Sequence, residues 1–122
     1  MTNMQSFIYV KFQKEGVHQY PAALEKESLK DVSFLGYPHR HIFHFKITIS
    51  VSHDDREIEF IQFKRWIESL YTNRVLQLDF NSCEMIARDL VKTIENKYPG
   101  RTYMVDVSED NENGALLISE HR

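Results

Sequence analysis

The sequence predicts an α+β domain in which two strands, two helices and two further strands follow one another along the chain. In residues 39–51 apolar side chains occupy nearly every second position, as in a strand with one buried face. Residues 58–71 and 81–98 instead carry apolar side chains at helical spacing. Because each helix has only one apolar stripe to bury, the expected packing is a four-stranded antiparallel sheet with both helices on one face.

The amino-terminal half predicts two strands joined by a long connection. Residues 7–12 are β-branched and aromatic apart from one lysine, and this strand is expected to continue to His18 past a bulge at Gly16. Its expected partner is the strand over residues 39–51. The connection, residues 20–38, is longer than most loops of compact domains, and loops of that length often carry function.

The first helix is predicted over residues 58–71. Its apolar stripe is expected to bury Phe60, Phe63 and Ile67. The aromatic character of this stripe indicates core packing.

The second helix is bounded by start and stop signals. Asn81 is the expected N-cap, with Glu84 three residues later, and Pro99-Gly100 ends the helix. Strands over residues 102–107 and 115–119 follow, and the acidic Asn-Gly turn between them is typical of a hairpin.

Composition narrows the function classes. With 122 residues and 14.5 kDa, the chain is expected to form one domain, residues 1–122. A net charge of −3 without blocks of like charge gives no electrostatic footprint for nucleic acid or an anionic membrane. No signal peptide and no long apolar run is evident, and Cys83 is the only cysteine, so we expect a cytoplasmic protein without an intrachain disulfide.

Two histidines stand at the beginning of the best-marked strand. His39 and His41 fall on its apolar face, two residues apart. Two neutral imidazoles on one side of a strand can bind the same tetrahedral ion, and apolar surroundings exclude water from it. A third ligand is needed to complete such a site.

Five short segments carry a resemblance to a known family. They are His18, His39-Arg40-His41, Ile58-Glu59-Phe60, Ser82-Cys83-Glu84 and Val107-Ser108-Glu109. With the predicted element order, they resemble the tunnelling fold, specifically the family of 6-pyruvoyl-tetrahydropterin synthase and 6-carboxy-tetrahydropterin synthase. The central segment is similar to the family's H-G-H motif, and His18 lies where the family has its first zinc histidine.

The resemblance implies a site and an assembly. It implies zinc as the cofactor, held by His18, His39 and His41, and a pterin- or purine-like ligand anchored by Glu109. A carboxylate can accept two hydrogen bonds from the amino and ring N–H groups of such a ring. It also implies self-association into a trimer or hexamer, in which the open sheet edges of neighbouring chains pair.

The sequence also departs from the family. The family's catalytic cysteine precedes H-G-H, whereas residues 34–38 contain no thiol and Cys83 falls at the start of the second helix. The histidine that the family places after its first helix is missing as well. Because general acid–base catalysis contributes roughly 10²–10⁴-fold, these losses leave little means of completing the family's reaction.

Three functions remain open. The first is a divergent tunnelling-fold protein that binds a pterin- or purine-like ring, without the usual catalysis. The second is a zinc-dependent lyase or synthase, in which Tyr37 or Asp79 handles protons. The third is a barrel-forming interaction protein, in which the histidines are hydrogen-bonded structural residues and Glu109 only solvates a turn.

Overall fold

The computed structural model describes residues 2–121 and confirms an α+β architecture. The strands are β1 (Ser6–His18), β2 (His39–Val51), β3 (Leu76–Gln77), β4 (Tyr103–Glu109) and β5 (Asn113–Ser119). The α-helices are α1 (Phe60–Ser69) and α2 (Cys83–Lys97). The connection between β1 and β2 holds two 3₁₀ segments, Pro21–Leu24 and Glu27–Gly36.

The five strands form one open sheet in the order β3-β1-β2-β4-β5. The prediction of four antiparallel strands is therefore wrong, because β3 adds a fifth that runs parallel to β1. Its two residues are too few for a periodic pattern. They form a strand because the chain returns along the end of β1, where the Leu78 N–H donates to the Val17 carbonyl over 2.9 Å.

Strands β1 and β2 pair without interruption from Ser6 opposite Val51 to His18 opposite His39. The expected bulge at Gly16 is therefore wrong. Glycine serves another purpose there: a Cβ would lie 2.9 Å from Leu78 Cδ1 and 3.0 Å from the Phe43 ring. The missing side chain lets core side chains approach the backbone beside the two strand ends.

Both α-helices pack on the same face of the sheet and share one core, as predicted. Phe63 and Ile67 of α1 and Ile94 of α2 are fully buried. Phe60 is 54% exposed, so its predicted core position is wrong. It is the first residue of α1 and lies at the rim of an open cleft between α1 and β1.

Helix α2 begins one residue later than predicted. Ser82 is its N-cap, and the Ser82 hydroxyl accepts the Met85 N–H over 3.2 Å. Asn81 belongs instead to a turn in which its N–H donates to the Leu78 carbonyl. Within residues 2–121, neither α-helix has the length and apolar character needed to cross a bilayer.

Candidate metal-binding site

Three histidines meet where β1 ends and β2 begins. His18 and His39 are paired across the two strands, and His41 lies opposite Gly16 on the same face. One ring nitrogen of each histidine lies within 4.8 Å of the others, so this cluster could hold a metal ion. The three predicted histidines are thus brought together by strand register.

The Nδ1 atoms of His18 and His39 are held by backbone carbonyls. His18 Nδ1 lies 2.9 Å from the Asn81 carbonyl oxygen, and His39 Nδ1 lies 2.8 Å from that of Tyr37. A carbonyl oxygen can only accept, so in each ring Nδ1 carries the donated hydrogen. In the neutral rings, the Nε2 lone pairs are left free to bind a cation.

Asp110 holds the third ring. Its Oδ2 lies 2.7 Å from His41 Nδ1, and its Oδ1 accepts the Ile42 N–H over 2.9 Å. The Ile42 N–H and the His41 ring together lower the pKa of Asp110, which keeps this carboxylate ionised and accepting. His41 therefore adopts the same tautomer as the other two histidines.

Glu109, the last residue of β4, faces the free nitrogens. Glu109 Oε1 lies 3.2 Å from His18 Nε2, and Oε2 lies 3.3 Å from His41 Nε2. Both Nε2 atoms are buried and lack a partner with hydrogen-bond geometry. In this tautomer, lone pairs face carboxylate oxygens, an arrangement that a cation between them would stabilise. The donor set therefore fits a metal ion that prefers imidazole and carboxylate ligands.

A cleft of about 290 Å³ opens beside the histidines. Glu109 lines it together with His18 and His39, and its other walls include Tyr20, Leu35 and Phe80. The connection that contributes Tyr20 and Leu35 is tied to itself by a hydrogen bond of 2.7 Å from the Tyr20 N–H to the Leu35 carbonyl. The volume of the cleft is close to the lower limit for small-molecule pockets, which is roughly 300 Å³.

Cys83 also lines the cleft, although its position in the sequence places it outside the family's catalytic segment. Its Sγ lies 4.0 Å from Glu109 Oε1. Burial, with smaller contributions from the charges of Glu109 and Glu84, raises the pKa of the thiol to about 12. At neutral pH the group is therefore a thiol and not a nucleophilic thiolate.

Tyr37 and Asp79, which were expected to handle protons, contribute to the site through backbone carbonyls. The Tyr37 carbonyl holds His39, and the Asp79 carbonyl accepts the Gln19 N–H over 2.9 Å. The Tyr37 side chain is 61% exposed. Neither side chain lines the cleft.

Asp110 and Asn81 support the site, but the sequence predicts that role for neither. In the sequence, Asp110 is one of several acids in the hairpin turn, and Asn81 is the expected cap of the second helix. The one signal for Asp110 is its position next to Glu109. Asn81 acts through its carbonyl, which every residue possesses, so its identity held no information about this contact.

No model of a known protein family matches the chain, and the curated proteins contain no significant match to it.

Proposed function

We propose that this chain is a divergent tunnelling-fold protein that binds zinc through His18, His39 and His41 and a pterin- or purine-like ring through Glu109. This protein would lack the family's usual catalysis. The observation that carries the proposal is the convergence of three imidazoles, each held through Nδ1, and one carboxylate beside a single cleft.

The donor set suits zinc. Imidazole nitrogens and a carboxylate oxygen are common zinc ligands, and each histidine donates its other ring N–H to a fixed acceptor. Such outer contacts orient the rings before the metal arrives. The neighbouring Phe43 packs against the His18 ring at 5.1 Å between centroids and limits water at that side.

The ring ligand is suggested by the remaining walls of the cleft. Tyr20, Leu35 and Phe80 offer apolar surface to a flat ring, while Glu109 offers two acceptor oxygens. Pterins and guanine share an amino group beside a ring N–H, which matches a carboxylate in a two-point contact. A ring without that edge should bind more weakly.

Loss of catalysis is supported by the state of the only thiol. Residues 34–38 contain no cysteine, and the raised pKa of Cys83 keeps its thiol protonated. A zinc-dependent pterin synthase or lyase remains the second candidate, because the three histidines that would hold its zinc do converge. Turnover would distinguish the two.

The test combines metal analysis with ring binding. Mass spectrometry of purified, metal-loaded protein should give one zinc per chain. Calorimetric titration of the zinc-saturated protein with neopterin or guanosine should show binding. Glu109→Gln should weaken it at least about tenfold, because an amide replaces one of the two acceptors of a charged pair. Glu112→Gln removes the same charge from an exposed position on the same hairpin and should leave binding unchanged.

Each contrary outcome has a separate meaning. Zinc without ring binding would refute the ligand class. Ring binding that Glu109→Gln leaves intact would refute the anchor. Conversion of dihydroneopterin triphosphate would favour the lyase, and absence of both zinc and ring binding would leave an interaction protein.

A further inference from the structure

We infer that Glu109 is a fourth ligand of the metal ion when the cleft is empty, so that the metal has no open position until a ring ligand draws this carboxylate away. The inference rests on the proposed metal centre. It gives Glu109 a second partner and makes access to the metal depend on the ligand.

The distances support coordination. In a tetrahedral zinc site, bonds of 2.0–2.2 Å place neighbouring ligand atoms roughly 3.3–3.5 Å apart. The Glu109 oxygens lie 3.2 and 3.3 Å from His18 Nε2 and His41 Nε2. Each carboxylate oxygen therefore already lies at about the separation from one of these two histidines that a shared ion requires.

The charges favour the same conclusion. Within residues 2–121, no lysine or arginine forms an ion pair with Glu109; its charged-group contacts are to His18 and His41. Both imidazole Nε2 atoms are buried without a hydrogen-bond partner. A metal ion between these groups would satisfy a partly buried carboxylate and two Nε2 lone pairs at once.

Coordination by Glu109 would make the open position on the metal depend on the ring ligand. Structural zinc sites use four protein ligands, whereas reactive ones keep a position for water or substrate. If Glu109 binds the metal and the ring in turn, ring binding exchanges a closed centre for one with an open position. Small anions should then reach the metal only after the ring has bound.

Cobalt substitution tests this directly. Co²⁺ can replace Zn²⁺ in such sites, and its visible absorption reports changes in the ligand set. Azide added to the Co²⁺-loaded wild-type protein should leave the spectrum unchanged. Azide should alter the spectrum of Co²⁺-loaded Glu109→Ala, and Glu112→Ala should behave like the wild type. In a competition titration with a chromophoric chelator, Glu109→Ala should also bind Zn²⁺ at least about tenfold more weakly.

A second measurement needs no variant. Adding neopterin or guanosine to the Co²⁺-loaded wild-type protein should make its spectrum respond to azide. If azide alters the wild-type spectrum without a ring ligand, Glu109 is not a fourth ligand, although the three-histidine centre still stands. If neither Co²⁺ nor Zn²⁺ binds, the proposed metal centre itself is refuted along with this inference.

Discussion

Asp110 is the residue on which the orientation of His41 depends. It combines a positive φ of 55° with two side-chain contacts, one to the His41 ring and one to the Ile42 N–H. Aspartate and asparagine tolerate the left-handed backbone region better than most residues. A carboxylate behind a metal-binding histidine fixes the tautomer and strengthens the ligand.

Replacing Asp110 with asparagine should weaken metal binding without unfolding the turn. Asparagine tolerates the same backbone conformation but has one acceptor oxygen, so it cannot serve both Ile42 and His41. Zinc affinity should fall about 10–100-fold, the range for lost outer-shell contacts. Chelator competition measures this.

The control for this prediction is Glu112→Gln, which removes the same charge from the same hairpin. An equal loss of zinc affinity in both variants would mean that net charge, and not the orientation of His41, governs binding. Unchanged affinity in Asp110→Asn would show that His41 is held in other ways.

Glu109 could be predicted from the sequence as a site residue, whereas its neighbour Asp110 could not. His39, His41 and Glu109 could be predicted as site residues from strand alternation and from the family resemblance. Asp110 could not, because it follows the last residue of β4, where alternation no longer indicates the direction of a side chain. Its direction is set instead by the left-handed backbone of the turn. Nothing in a periodic pattern predicts this backbone conformation.

Among the elements, those with long and regular patterns were predicted best. Strand β2 has the predicted bounds, because alternation over residues 39–51 follows from one buried face. Strand β3 was missed because its two residues are held by backbone pairing to Gly16 and Val17, whatever their side chains. The position of β3 matters for the candidate site, because the segment that follows it brings the Asn81 carbonyl to His18.

The start of α2 offers a test of local capping. Ser82→Ala should lower the free energy of unfolding by about 1 kcal/mol, the usual cost of losing an N-cap side chain. Asn81→Ala should cost much less, because its contacts to Leu78 and His18 use backbone atoms. Urea denaturation followed by circular dichroism measures both. A larger loss of unfolding free energy in Asn81→Ala than in Ser82→Ala would mean that Asn81 is the N-cap.

At the scale of the whole molecule, the candidate site occupies one end of the sheet and an ion pair occupies the other. Glu57 pairs with Arg101, and Glu57 Oε2 accepts the Ser52 N–H over 3.0 Å. Arg101 also donates to the Ser50 carbonyl over 2.9 Å. These contacts join the end of β2 to the segment that leads into β4, away from the histidines.

This ion pair predicts a pH dependence of stability. The Arg101 hydrogen bond is the main cause that lowers the pKa of Glu57 below its ordinary value of 4.5. A lowered folded-state pKa gives stability that is present above 4.5 and is lost as the pH falls through the folded-state value. Wild-type protein should therefore exceed Glu57→Gln in stability at neutral pH, and the difference should shrink below pH 4.5.

Urea denaturation at a series of pH values checks this prediction. Glu25→Gln removes the same charge from an exposed loop position and measures how much of the effect comes from net charge alone. A stability difference that stays constant with pH would show that Glu57 acts through packing. Zinc affinity should be the same in Glu57→Gln and the wild type, because the site lies at the opposite end of the sheet.

The open sheet edges carry the prediction for assembly. Strand β3 covers only Gly16 and Val17 of β1, so residues 7–12 keep an unpaired edge, and β5 forms the other edge. Leu116 and Ile118 of β5 are 54% and 51% exposed. Long unpaired edges with exposed apolar side chains tend to pair with another chain. Two complementary edges on one molecule can close a ring if each chain rotates relative to the next.

The family resemblance implies a trimer or a hexamer, and native mass spectrometry is expected to find one of these. Replacing both Leu116 and Ile118 with lysine should yield monomers, because the substitutions remove the exposed apolar side chains and place charge on an edge strand, which blocks edge-to-edge pairing. Met85→Lys makes the same type of change on α2, away from both edges, and should keep the assembly. A wild-type monomer would leave both edges unpaired. Dissociation by Met85→Lys as well would place the contact on the helices and would remove the sheet edges as its cause.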